Sequence, residues 1–373
     1  MALANSNSEP NSIVRFGRFL RRRWRRFRRR WLAPQVRFVY HDSYALTVDG
    51  APNDPTRGQK ILGFLIDEGL LDREDISVPR RPAVRSLLRA HDHDYIDSVG
   101  LDPVVTEKIF GTRISDVDIA RIVEMQRRSV GGTIQATRLA LHGRSVAINL
   151  GGGYHHAERD RGMGFCIFND IAVAIARLRS KGFREPVLVV DLDVHDGNGT
   201  RSIFAHDSTV YTYSVHNDHW GETEAEASTA IALGADVGDE VYLGTLLKTL
   251  PDVMLKVRPG RVIYVAGTDP AADDTLGNWK ISADGMFRRD RLVMEIVRHA
   301  RRRMPTVILL AGGYGNASWR YSARFFSWLI AGKVSKTPDN AEMVLRRFRK
   351  LRKTLGPTEL TAEPSGYEWS LTE

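Results

Sequence analysis

Residues 187–199 read VLVVDLDVHDGNG, and this stretch decides the fold. Its first four residues are all apolar, three of them valine, as expected for a buried strand. Asp191, Asp193 and His195 follow as the run ends, and Asn198 lies three residues beyond His195. Side chains at positions i and i+2 of an extended chain point to the same side. The stretch therefore predicts a buried strand with metal-binding side chains at its carboxyl end.

Four further apolar runs resemble this one, at residues 36–40, 145–150, 262–266 and 307–310. Three of the runs lead directly into polar motifs: GGGYHH at 151–156, GTD at 267–269 and GGYG at 312–315. Helical patterns at 171–178 and 291–303 lie between the runs. The alternation predicts an α/β fold with a mainly parallel sheet, in which ligands bind beyond the carboxyl ends of the strands.

The motifs at these strand ends carry a set of metal ligands. Asp193, His195 and Asp269 together form a three-ligand site. Three protein ligands leave one position open for water and substrate, which is typical of catalytic zinc. A strand-end turn with capping carboxylates would explain the first two residues alone, but not all the motifs together.

The histidine pair and a tyrosine supply the remaining chemistry. His155 and His156 provide general acid–base groups, and Tyr314 provides a hydrogen-bond donor for a developing oxyanion. A packed histidine pair or a plain glycine turn would explain either motif alone. Their convergence at four strand ends favours a hydrolytic centre.

Composition and charge limit which other kinds of site and which cellular settings are possible. The 373 residues include one cysteine, Cys166, which excludes an intrachain disulfide and a cysteine zinc site and favours a reducing, cytoplasmic setting. No apolar run approaches the ~20 residues that span a bilayer. The net charge of +9 comes from residues 1–34, which hold ten arginines and one acid, Glu9.

The arginine-rich tail has a helical pattern of its own over residues 13–32. Apolar side chains recur at spacings of three and four: Ile13, Phe16, Leu20, Trp24, Phe27 and Trp31. A basic amphipathic helix favours peripheral contact with an anionic membrane surface. Nucleic acid, an acidic protein groove, a transit peptide and packing against its own domain are alternatives. Residues 35–335 are predicted as the catalytic domain, and 336–373 as a C-terminal extension with a basic helical run.

Four stretches resemble the histone deacetylase family. They are INLGGGYHHAERDRGMGFCIFND at 148–170, DLDVHDGNG at 191–199, AGTDPAADDTLGNWKISADGMFRRDRLV at 266–293 and AGGY at 311–314. The resemblance covers roughly residues 36–332 and is strongest to the class IV branch and its bacterial relatives. It implies an arginase/deacetylase-like three-layer α/β/α domain with a mainly parallel eight-stranded sheet.

The resemblance also implies roles for individual residues. Asp193, His195 and Asp269 would bind zinc, or ferrous iron in its place. His156 would be the general base, and Tyr314 would polarise the acyl carbonyl. The supporting residues would be Asp191 behind His155 and Asn198 behind His156. A potassium ion would be held at Asp191, Asp193, His195, Ser214 and Val215.

The substrate channel is implied by the same resemblance. Gly164 and Phe165 would line it, with Leu276 near its floor. His219 or Trp220 would replace a wall that is aromatic in many relatives. Many relatives also carry aspartate at the position of Asn198. Because an amide stabilises imidazolium less than a carboxylate does, we expect a neutral His156 beside a cationic His155.

The implied activity is hydrolysis of N-ε-acyl-lysine amides, with acetyl or longer fatty acyl groups. An acylated polyamine is the alternative substrate, with Asp218, Glu222, Glu224 and Glu226 as acidic residues near the channel mouth. A catalytically silent, membrane-tethered binding module is the alternative from another class. Ureohydrolases of the arginase type share the fold, but the tyrosine and the histidine pair argue against them.

Overall fold

A computed structural model describes residues 36–353, except 49–51, 100 and 144. The predicted helix at 13–32 therefore lies outside the described residues, as does the end of the C-terminal extension. Among the residues that are described, no helix combines the length and apolarity that a membrane crossing requires.

The described part of the chain contains one sheet of eight strands, all parallel. The strands are β1 (Val36–Val39), β2 (Ile76–Ser77), β3 (Val146–Asn149), β4 (Val187–Asp191), β5 (Val210–His216), β6 (Ser228–Ala232), β7 (Arg261–Val265) and β8 (Thr306–Leu309). Their order across the sheet is β2-β1-β3-β8-β7-β4-β5-β6. The predicted arginase/deacetylase-like fold is confirmed.

Helices cover both faces of the sheet. The described ranges include α1 (Arg57–Asp67), α2 (Val84–Leu87), α3 (His93–Ser98), α4 (Pro103–Phe110), α5 (Asp116–Gly143), α6 (Asp170–Arg179), α7 (Asn198–Ile203), α8 (Asp239–Val257), α9 (Ala283–Ala300), α10 (Ser318–Ala331) and α11 (Ala341–Arg352). Two apolar cores result, one on each face of the sheet. Every residue of β3, β4, β7 and β8 is buried, which explains why these strands are nearly continuous apolar runs.

The C-terminal extension begins with a helix that packs on the domain. Val344 and Phe348 of α11 are buried in the core beneath α1. The two helices approach so closely at Gly63 that a Cβ atom there would lie 2.0 Å from the Val344 carbonyl oxygen. Residues 341–352 therefore share the core of the catalytic domain.

Candidate active site

Parallel pairing brings the predicted motifs together at the carboxyl edge of the sheet. β4 lies between β5 and β7, and β8 lies between β7 and β3. The segments that follow β3, β4, β7 and β8 therefore meet over the middle of the sheet. Together with Asp191, the last residue of β4, the side chains they carry include every residue predicted as a zinc ligand or catalytic group.

Asp193, His195 and Asp269 form what we call the central cluster. The His195 Nδ1 atom lies 3.1 Å from one carboxylate oxygen of Asp193 and 3.1 Å from one of Asp269. One ligand atom from each residue lies within 4.8 Å of the others, and both carboxylates are fully buried. The structure thus brings the three predicted ligands together.

The electrostatics of the central cluster fit a divalent cation. Burial and the neighbouring Asp193 carboxylate raise the pKa of Asp269, because two adjacent buried carboxylates resist ionising together. A cation between them would favour the ionised form of both. Two oxygen donors and one imidazole form a ligand set that zinc accepts, with one position left for water.

His155 and His156 are buried side by side but have different partners. Their ring centroids lie 4.1 Å apart. His155 Nδ1 lies 2.7 Å from an Asp191 carboxylate oxygen, whereas His156 Nδ1 lies 2.8 Å from the amide oxygen of Asn198. The structure therefore places Asp191 and Asn198 directly behind the two imidazoles.

These partners separate the pKa values of the two histidines. Burial disfavours a charge on His155, but the Asp191 and Asp193 carboxylates outweigh it and raise its pKa to about 9. For His156, burial and the neighbouring His155 hold the pKa well below its usual range, and Asn198 offsets only part of this. One imidazole is thus held cationic and the other neutral.

Tyr314 is positioned by backbone contacts on either side of it. The Gly312 N–H donates to an Asp193 carboxylate oxygen at 2.8 Å, and Gly313 has a φ of 138°. The Tyr314 and Gly315 N–H groups donate to one Asp274 carboxylate oxygen at 2.7 and 3.0 Å. Burial and the Asp193 carboxylate keep the pKa of Tyr314 well above its usual value, so its hydroxyl stays a donor.

Two of the predicted channel residues sit in a strained turn. Gly164 and Phe165 both have positive φ, 53° and 65°. Non-glycine residues rarely adopt this conformation, so the turn needs support from its surroundings. Gln126 supplies it by donating to the Phe165 carbonyl at 2.6 Å and accepting from the Ile167 N–H at 2.9 Å.

Trp220 forms a wall beside the histidines. Its ring stacks on His156 with centroids 4.4 Å apart and an interplanar angle of 10°. It also meets the His195 ring edge-on, with centroids 5.2 Å apart. Of the two residues predicted to replace the channel wall, Trp220 is the one that contacts the histidines, and its role as a channel wall stays a prediction.

Two predicted channel residues lie elsewhere. His219 turns to His216, with its Nδ1 atom 2.9 Å from His216 Nε2. Leu276 is 42% exposed and does not line the cavity, because Asp274 accepts from its N–H and holds the segment at the surface. The placement of Leu276 near the channel floor stays a prediction.

A cavity of about 600 Å³ adjoins these groups. It extends from the histidine pair and Tyr314 past Gly151–Gly153 to a mainly apolar wall. That wall is made by Tyr40, Tyr44, Leu46, Phe110, Ile114, Ile122, Met125 and Leu150. Exposed residues also line it, among them Asn53, Thr112 and Arg113, so the cavity reaches the protein surface.

The residues assigned to a potassium ion are adjacent in the sheet. Asp191 of β4 pairs with Ser214 of β5, and Val215 follows. The Asp191 carboxylate accepts from the Asp193 N–H at 3.2 Å. This pairing brings Ser214 and Val215 beside the strand that carries the zinc ligands.

A second group of metal-ligating side chains lies next to the first. Asp196, His216 and His219, which we call the rim cluster, also bring three such groups together. The two carboxylate oxygens of Asp196 accept from the two Nη atoms of Arg201, both at 2.6 Å. The Asp196 carboxylate also accepts from the Trp220 N–H, and Arg201 Nε donates to the Glu222 carbonyl, so this ion pair holds the Trp220 loop.

Two buried arginines that support the site had no sequence signal. Arg57 donates to the carbonyls of Ala311 and Gly312, beside Tyr314. Arg289 donates to the carbonyls of Leu192 and Gly267, which flank the metal-ligand positions of β4 and β7. Arg57 lies 254 and 255 residues from its two carbonyls, and Arg289 lies 97 residues from Leu192 and 22 from Gly267, so only the fold reveals their roles.

Known proteins are similar to this chain over most of its length. Residues 51–328 match the family model described as the histone deacetylase domain. An uncharacterized protein of Picosynechococcus sp. is 34% identical over 74% of this chain and 91% of its own length. Histone deacetylase 2 of Arabidopsis thaliana is 33% identical over 78% of this chain and 77% of its own. A crystal structure of a histone deacetylase homologue from Aquifex aeolicus superposes with a TM-score of 0.70 at 24% identity, covering 86% of this chain and 89% of that one.

Proposed function

The chain belongs to the histone deacetylase family, and from this premise we propose that it is a zinc-dependent hydrolase of N-ε-acyl-lysine amides. Family membership supports a deacetylase-type hydrolase in general terms. One observation carries the finer proposal: the central cluster, the histidine pair and Tyr314 converge on one cavity. Water would add to the acyl carbon, the C–N bond would break, and the products would be a free amine and a carboxylate.

We assign zinc to Asp193, His195 and Asp269, with ferrous iron as the alternative ion. A bound zinc ion would polarise the acyl carbonyl and lower the pKa of water at its open position. The implied potassium ion would lie at Asp191, Asp193, His195, Ser214 and Val215, as a structural cation.

The protein side chains divide the proton transfers among them. His156 is neutral, accepts a proton from the attacking water and passes it to the leaving amine nitrogen as the C–N bond breaks. His155 stays cationic beside Asp191 and adds positive charge next to the developing oxyanion. Tyr314 donates a hydrogen bond to that oxyanion. Trp220 stacks on His156, which fixes the plane of the base.

The cavity favours acyl groups longer than acetyl. Its volume of about 600 Å³ lies within the range that holds drug-sized ligands, and its inner wall is mainly apolar. Such a chain would lie against Tyr40, Tyr44 and Met125. This preference accords with the resemblance to the class IV branch.

An acylated polyamine is the second candidate substrate. Asp218, Glu222 and Glu224 are exposed on the loop that carries Trp220, and Glu226 follows them. A polycation would find favourable charge there. We further propose a cytoplasmic protein that attaches peripherally to an anionic membrane through residues 13–32; nucleic acid is the alternative partner of that segment.

Turnover on a panel of substrates tests the proposal. Lysine peptides with acetyl, octanoyl and myristoyl groups, and acetylated polyamines, would be compared with zinc-loaded enzyme and a Tyr314→Phe control. We expect the highest kcat/KM on a long acyl peptide and its loss in the control. Activity confined to acetyl groups would contradict the acyl preference. No turnover on any substrate despite bound zinc would support a catalytically silent binding module instead.

A further inference from the structure

The edge of the sheet opposite the catalytic centre carries a dense group of exposed cations. Because all strands are parallel, the segments that enter β4, β7 and β8 lie side by side at this edge. They are residues 181–186, 256–260 and 301–305. Together they hold seven cations, all exposed: Lys181, Arg184, Lys256, Arg258, Arg301, Arg302 and Arg303. We call this surface the basic edge.

Little opposing charge lies within these three segments. The one carboxylate among their residues is Glu185, which is 60% exposed and lies 3.7 Å from Arg301. Arg258 stands at the C-cap of α8. Its φ of 47° is a backbone conformation that usually favours glycine, so this position carries a cation where an uncharged residue is common. The basic edge is thus left with a large excess of positive charge facing water.

The arginine-rich tail joins the domain at this same edge. β1 begins at Val36 and pairs in parallel with β3, which pairs with β8. Two strand spacings, roughly 10 Å, therefore separate the start of β1 from the start of β8. The chain that precedes Val36 brings nine further net positive charges and six apolar positions, including Trp24 and Trp31.

We propose that the basic edge is a docking surface for an anionic membrane, with the catalytic opening facing away from the lipid. The membrane contact proposed above for residues 13–32 thus extends to the basic edge of the domain. This inference rests on that part of the proposed function. Exposed cations gain free energy near anionic headgroups, and tryptophan and phenylalanine suit the interface. The docked enzyme would therefore act on substrates that reach it from the aqueous side.

Vesicle sedimentation of the full-length protein tests the docking surface. Phosphatidylcholine vesicles with and without phosphatidylserine would be compared for the wild type and for a variant with Arg301→Gln, Arg302→Gln and Arg303→Gln. We expect binding only to the anionic vesicles, weakened on the order of 10- to 100-fold in the variant. The matched control carries Arg346→Gln, Lys350→Gln and Lys353→Gln, exposed cations of α11 and its C-cap.

The control should bind as the wild type does, within about threefold. Equal losses of vesicle binding in both variants would show that net charge alone attracts the protein to the membrane. This result would overturn the proposal that the basic edge is the docking surface. Binding to duplex DNA that falls with the same three substitutions, while vesicle binding does not, would assign the surface to nucleic acid. Because sedimentation needs no turnover, failure here is separate from failure of the proposed catalysis.

The orientation has its own test. Turnover of a soluble acyl-lysine peptide would be measured with enough anionic vesicles to bind the enzyme. We expect kcat/KM within about twofold of its value without vesicles, because the opening faces water. A strong loss of turnover on binding would place the opening against the lipid and overturn the proposed orientation.

Discussion

The central cluster and the rim cluster lie side by side, and each brings one or two aspartates together with histidine. They differ in the charge that faces the carboxylates. In the central cluster two buried carboxylates face imidazoles and no arginine: both lie 3.1 Å from His195 Nδ1, and Asp193 also lies 3.8 Å from His155 Nε2. In the rim cluster both oxygens of Asp196 are occupied by the guanidinium of Arg201.

This difference shows that proximity of ligands does not define a metal site. A cation already neutralises Asp196, so a metal ion would have to displace a bidentate ion pair. The central carboxylates gain most from a metal ion, because without one burial opposes their joint ionisation. We therefore expect one tightly bound divalent ion per chain, at the central cluster.

The largest effect is expected from Asp269→Asn. Removing one of the two carboxylates should empty the central cluster and reduce turnover on the order of 1000-fold or more, since metal ions supply several kcal/mol of transition-state stabilisation. Zinc content per chain and kcat/KM would be measured together. The matched control is Asp196→Asn, which should keep one zinc per chain. If Asp196→Asn also loses its zinc, the two clusters do not differ in metal binding as we expect.

Arg201→Met removes from the rim cluster the cation that distinguishes it from the central one. It leaves the buried Asp196 carboxylate without its partner and should lower the free energy of unfolding by about 3–5 kcal/mol. Urea unfolding would measure the loss, and the double variant with Asp196→Asn should recover much of it. We also expect added zinc to stabilise Arg201→Met more than the wild type. An unchanged unfolding midpoint in Arg201→Met would contradict a charge-compensating role for the arginine.

Arg289→Lys tests whether Arg289 holds the central cluster in place, without changing the rim cluster. Arg289 donates to the Leu192 and Gly267 carbonyls through Nη1 and to Asp290 through Nε. The single ammonium of lysine cannot make both sets of contacts, so the ligand-bearing strand ends should loosen. We expect zinc affinity to fall by about 10- to 100-fold, as measured by competition with a chelator. Arg261→Lys is the matched control, because this buried arginine donates to the Thr137 carbonyl. Equal losses of zinc affinity in both variants would indicate a general effect of burying lysine.

The sequence predicted the central cluster because each of its residues directly follows an apolar strand. Five strands were found in this way, while β2, β5 and β6 were not identified individually. β2 has two residues. Thr212 and Ser214 interrupt the apolar side chains of β5, and β6 begins with Ser228 and Thr229, so neither gives a long apolar run. The number of eight strands came from the family resemblance.

The supporting residues could not be predicted in the same way. Arg289 lies 97 positions from Leu192 along the chain, and its sequence surroundings are those of an ordinary amphipathic helix. The side-chain direction of His219 likewise depends on a contact with His216 that no motif encodes. Leu276 was placed by analogy, and the Asp274 turn that holds it at the surface is visible only in three dimensions. The long-range contact of Arg289 and the local side-chain and turn geometry at His219 and Leu276 thus could not be predicted from the sequence, whereas the strand-end motifs could.

The smallest effect concerns the charge that faces His156. Asn198→Asp would place a carboxylate where the wild type has an amide oxygen 2.8 Å from His156 Nδ1, and so raise the pKa of this histidine. Because the base must be neutral to accept a proton, the acid limb of the kcat/KM profile should move to higher pH by about one unit. Turnover should fall on the acid side of the profile and stay within about threefold on the alkaline side. Asn198→Ser, which adds no charge, should leave the limb nearly in place, and an Asn198→Asp profile that matches the wild type would refute the neutral His156 on which the proton transfer depends.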